Sequence, residues 1–163
     1  HDSRYHGEFP FCGRVAISPD GRKLYTGCGA TLNTASVLGN DMVYAGQMTL
    51  SPVDPVRLQP YVAVGLSVAP TNASVALLEE NQYTCDARIG LLDECHTRLS
   101  VYDTATLTRR SFRGLAPYER NSDRLKQSGR RVMHRSDGSL IVIAEVRTRN
   151  EAPPTWLLHR LNP

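Results

Sequence analysis

Long apolar runs are missing from this chain, and no stretch approaches the roughly 20 residues that would cross a bilayer as a helix. Aromatic residues make up 7%, with a single Trp, so the composition provides little for stacking nucleic-acid bases. Charge of one sign is not in large excess either, at +3 net, which gives no general pull toward polyanions. The motifs of several reaction classes are absent. There is no GxSxG elbow and no cysteine set beside a paired histidine for nucleophilic catalysis. Gly27-Cys28-Gly29 is too short for a phosphate-cradling or dinucleotide loop. The histidines His1, His6, His96, His134 and His159 are scattered, with no HxH or HxxxH spacing to set two imidazoles on one face.

What the chain does have is a phrase that occurs three times. Residues 14–25, 65–78 and 131–144 each read as a short apolar strand, a tight turn and a second apolar strand. The turns centre on Asp20-Gly21, Thr71-Asn72 and Asp137-Gly138. Hairpins recurring at tens of residues signal stacked repeats. Period-2 alternation predicts strands near 14–18, 23–27, 41–49, 56–61, 62–69, 74–79, 98–103, 107–112, 131–134, 139–147 and 155–161. The only stretch polar enough to coil as a helix is 118–127. The expected fold is all-β, in antiparallel four-stranded units at about 12–61, 62–115 and 130–163, the last lacking a strand. A β-sandwich or small barrel is the alternative.

The four cysteines fall into two close pairs, Cys12/Cys28 and Cys85/Cys95, spaced too widely for a CxxC knuckle. Four cysteines allow three pairings; the local one is preferred here, and it places the chain in a secreted or periplasmic setting. Four buried free thiols in a cytosolic protein is the alternative. The chain starts at His1 without methionine or an apolar leader, which fits either a processed end or a piece of a longer protein.

SPDGRKLY at residues 18–25, followed later by VYDTATL at 101–107, resembles the blades of β-propellers of the YVTN/lactonase-like and quinoprotein-like kinds. Residues 14–25 and 131–144 match the first hairpin of such blades, and 99–107 matches the second. Pro70-Thr71-Asn72 departs from the Pro-Asp-Gly pattern, and the turns lie further apart than the usual repeat of about 40–50 residues. The resemblance implies a partial propeller of three blades whose first strands line a central channel. Arg14, His134 and Arg135 would then face that channel. Propellers close with about four to eight blades, so the missing blades or another chain are expected as partners. The resemblance also implies that a segment such as 5–11, or a strand from another chain, completes the last blade.

From 109 to 135 the chain holds eight arginines and one lysine against Glu119 and Asp123. Arg120, Arg124, Arg130 and Arg131 are therefore candidates for meeting a partner, although such a run is more commonly a solvated loop. Nucleic acid is not the expected partner, because no aromatics interleave the cations. For His134 the plainer reading is a hydrogen-bonded structural histidine. No cofactor is expected. The donor chemistry that exists is at His1, whose amine and imidazole would chelate copper, and at Asp86, Asp93 and Glu94, whose oxygens would suit calcium. Function reads first as an exported non-catalytic binding or scaffold segment that offers long loops to a protein or glycan. The alternative, implied by the resemblance, is part of a lactonase-like or quinoprotein-like enzyme with a divalent ion or quinone in the channel. A third reading is an inhibitor-type partner acting through the basic segment.

Overall fold

The computed structural model describes residues 9, 11–50, 61–81, 97–116, 118–120, 123–125, 127–146 and 153–162. These form three larger antiparallel sheets and one small hairpin. The first sheet runs in the order β1 (Val15–Ile17), β2 (Lys23–Thr26), β3 (Ala30–Asn33), β4 (Val43–Gln47). The second runs β5 (Tyr61–Val68), β6 (Ser74–Asn81), β7 (Arg98–Asp103), β8 (Arg109–Gly114). After the hairpin of β9 (Tyr118–Arg120) and β10 (Asp123–Leu125), the third sheet runs β11 (Gln127–His134), β12 (Leu140–Val146), β13 (Thr155–Leu161). Spatial order follows chain order in each larger sheet, and none of the sheets closes on itself among the described residues. The fold is all-β with blade-like sheets; a 3-10 turn at Leu38–Asn40 is the only helical element described.

The three repeated turns share one geometry. The fourth turn residue donates its N–H to the first residue's carbonyl: Gly21 to Ser18 at 2.8 Å, Asn72 to Ala69 at 2.9 Å, Gly138 to Arg135 at 3.1 Å. That fourth residue is left-handed in each case, with φ of 70°, 59° and 80°. Asn is the non-glycine residue that tolerates this conformation best, which accounts for Asn72 standing where the other copies have glycine. Side chains reinforce the outer copies, as Asp20 Oδ1 accepts from the Ser18 hydroxyl at 2.6 Å and Asp137 Oδ1 from the Ser139 hydroxyl at 2.6 Å.

One sequence expectation needs correction. Residues 30–33 form a strand that alternation does not reveal, because three of its four residues are buried rather than every second one. In the stretch 118–127, a short and uncapped candidate for a helix, Tyr118–Arg120 and Asp123–Leu125 pair as a hairpin, in a register that sets Asp123 opposite Arg120 and Arg124 opposite Glu119. Of the expected strand at 56–61, only Tyr61 is among the described residues, and it opens β5.

Packing follows from β6, which is apolar at successive positions because both of its faces are covered. Val75 and Leu77 join Tyr25, Met48, Ala63 and Tyr102 in a core between the first and second sheets. Ala76 and Leu78 join Leu99, Val101, Val132, Leu140, Val142 and Ala144 between the second and third. Each of the large side chains so buried is worth roughly 1.5–3 kcal/mol. Backbone contacts lock the seams: Ala63 N–H donates to Gly27 O at 2.9 Å, and Gly129 N–H donates to Thr97 Oγ1 at 2.8 Å. Gly27 has to be glycine, since a Cβ there would sit 2.7 Å from Cys12 O and 3.0 Å from Ala63 O.

The far faces of the outer sheets are different. Val15 and Ile17 are 61% and 59% exposed on the first sheet. On the third, Met133, Trp156 and Leu158 are 42%, 57% and 68% exposed, and register places them on one face with Ile141 and Ile143.

Candidate functional site

The densest arrangement of functional side chains lies on the second sheet, on the face turned toward the first. Strand alternation puts Arg98, Ser100 and Tyr102 on that face of β7, with Phe112 of β8 directly across from Ser100. Tyr61 enters from β5. Cations and rings then alternate: the Arg98 guanidinium lies 4.4 Å from the Tyr61 ring centre and 5.6 Å from that of Phe112. Arg109 lies 5.2 Å from Phe112 and 5.5 Å from Tyr102. Each such contact is worth about 0.5–1 kcal/mol at an exposed site and more when dry.

One end of this ladder is anchored in the interior. Arg109 donates to the Tyr102 hydroxyl from Nε at 3.2 Å and Nη2 at 3.0 Å, and from Nη2 to Thr49 O at 3.0 Å. The Tyr102 hydroxyl shares its own proton between Thr49 O (2.7 Å) and Glu79 Oε1 (3.1 Å). Burial and the Glu79 charge push the Tyr102 phenol up to about 12, so it stays a donor. Glu79 is fully buried and pairs with Arg109 at 4.0 Å. The other end is free of such ties. Among the described residues no carboxylate forms an ion pair with Arg98, and Phe112 in the middle is 50% exposed. Ser100, across from it on β7, is fully buried and its Oγ has no hydrogen-bond partner among the described residues.

The residues singled out in the sequence are scattered over the molecule. His134 is half-buried at the seam of the second and third sheets. Its Nδ1 is 3.1 Å from Ser67 Oγ, its Nε2 3.3 Å from Ser74 Oγ, and its N–H donates to Ser67 Oγ at 3.0 Å. Burial lowers its pKa, so the neutral ring is favoured. Arg135, next to it, is exposed and pairs with Asp137 at 3.4 Å. Arg14 is exposed and precedes β1. Arg120 and Arg124 sit on the β9–β10 hairpin, whereas Arg130 is bound to the buried Glu145 at 2.6 Å. Arg131 is exposed on the far face of the third sheet. Cys12 and Cys28 form a disulfide with a Cα–Cα distance of 5.3 Å. His1, Cys85, Asp86, Asp93, Glu94 and Cys95 lie outside the described residues. Among the described residues no group of three or more His, Cys, Asp or Glu is placed to hold a metal ion, and no helix is long and apolar enough to cross a membrane.

Sequence reasoning missed the ladder. Four of its members lie on the consecutive strands β7 and β8, and Tyr61 comes from β5 well before them. The even spacing of Arg98 and Tyr102 was a signal, but Arg109 and Phe112 are three apart and share a face only because the register shifts between Ser111 and Arg109.

No family model matches the chain, and no curated protein matches it. Among solved structures it is similar to hydrazine synthase of Kuenenia stuttgartiensis, with a TM-score of 0.60 and 14% identity over 91% of this chain. It is also similar to the tail fiber of Staphylococcus aureus phage P68, with a TM-score of 0.54 and 12% identity over 91% of this chain. The likeness is one of fold. The matched region spans 38% of the first protein's chain and 28% of the second's.

Proposed function

We propose that this chain is an exported, non-catalytic binding or scaffold segment of a β-propeller, completed by further blades of the same construction. The observation that carries the reading is the contrast between the middle sheet and its neighbours. Both faces of β6 in the middle sheet are covered, while Val15 and Ile17 at one end and Met133, Trp156 and Leu158 at the other stay in water. Burying each such side chain is worth roughly 1.5–3 kcal/mol, so two more sheets of the same kind would be strongly held. The two outer faces differ in their exposed residues, which fits head-to-tail addition and closure at about four to eight blades. Both similar structures hold the matched fold as a minor part of a longer chain, which also supports further blades. The Cys12–Cys28 bond supports an oxidising setting. A rigid scaffold of this type offers its connections and edges to a protein or glycan partner.

The test is the native mass of the purified protein by light scattering, with intact mass spectrometry of every chain present. An assembly, or a longer chain that behaves as one compact unit, supports the proposal. A stable, cooperatively folding monomer of 18.1 kDa overturns it.

A further inference from the structure

We infer that Arg98, Phe112 and Arg109, the accessible middle of the ladder whose end rings Tyr61 and Tyr102 are buried, form a binding surface for an acidic polysaccharide, one whose sugars carry carboxylates. The inference rests on the binding role proposed above and names the ligand class. Three observations lead to it. Each guanidinium lies within about 6 Å of two ring centres, so its position is limited before a ligand arrives. Arg98 has no ion pair among the described residues, so its charge is available, whereas Arg109 is held by Tyr102, Thr49 and Glu79 and acts as the fixed end. Phe112 stands half-exposed between the two cations, its ring centre 5.6 Å from Arg98 and 5.2 Å from Arg109.

An apolar ring flanked by guanidiniums matches the two chemistries of a uronate sugar. The C–H face of the sugar lies on the aromatic ring, and its carboxylate takes paired N–H donors from an arginine. A neutral glycan would leave the Arg98 charge unused. A carboxylate homopolymer such as polyglutamate supplies the charge but no ring face to lie on Phe112.

The experiment measures binding of polygalacturonate, dextran and polyglutamate to the protein, to Arg98→Gln and to Phe112→Leu, by isothermal titration. Polygalacturonate is expected to bind and to weaken with added salt, while dextran does not bind. Each substitution is expected to lower affinity about tenfold or more, near 1.4 kcal/mol, while the lost ring contacts lower the melting temperature by a few degrees and unfolding stays cooperative. Phe112→Leu keeps an apolar side chain at a half-exposed position and decides the matter if Arg98→Gln loosens the sheet. No binding, equal binding of dextran, or full affinity in both variants overturns the inference. Tighter binding of polyglutamate overturns it as well and assigns the surface to an acidic protein. Native mass is measured on the same samples. A monomer that still binds overturns the propeller reading alone, and an assembly that does not bind overturns the ladder alone.

Discussion

His134 joins two sheets through both ring nitrogens, and that position fixes its pH behaviour. The unfolded imidazole titrates near 6.5, and burial lowers the folded value. Below 6.5, therefore, the unfolded chain takes up a proton that the folded chain resists, and stability falls as acid is added until the folded value is passed. Above that window the residue contributes no pH dependence. Melting curves recorded from neutral pH downward should show this loss, and His134→Asn should flatten it. Asp103 acts elsewhere on the scale. The Thr106 and Ala105 N–H groups hold its carboxyl down to about 2, so its contribution persists above the ordinary carboxylate value of 3.8 and fades only in stronger acid. The His134 ring nitrogens lie within hydrogen-bond distance of the Ser67 and Ser74 hydroxyls.

Among the elements, the N-terminal strand pair depends most on a covalent tie. β1 is three residues long and exposed at both ends, and it is held by β2 on one side and by the Cys12–Cys28 bond just before it. That bond closes a loop with a sequence separation of 16, for which the chain-entropy estimate is about 3 kcal/mol. Reduction, or Cys12→Ser, should lower the unfolding free energy by up to about that amount, read from denaturant midpoints. The elements were legible in the sequence where turn chemistry was explicit. Asp20-Gly21 and Asp137-Gly138 mark β1–β2 and β11–β12, and the Asp103 side chain marks β7–β8 by bonding back to its own turn. They were illegible where tertiary burial overrides alternation, as in β3, or where a strand is only three residues long, as in β9 and β10. The ladder was hidden for another reason. Five side chains meet only after β5, β7 and β8 have been set in register, and no single segment shows that.

For the whole molecule, the exposed faces give a direct optical test. Trp156 is the chain's single tryptophan and is 57% exposed on the third sheet's far face. In an assembly completed by further blades its emission should shift to the blue and resist acrylamide quenching. In an isolated three-sheet molecule it should emit as a solvated indole, and dilution should leave it unchanged. A further consequence belongs to β6, whose neighbouring residues are divided between two cores, Val75 and Leu77 on one side, Ala76 and Leu78 on the other. Order in a row of repeats spreads from neighbour to neighbour. The central sheet is then the natural nucleus from which both flanks grow, and a defect in it disconnects them from each other, leaving two separate folding units in place of one cooperative transition.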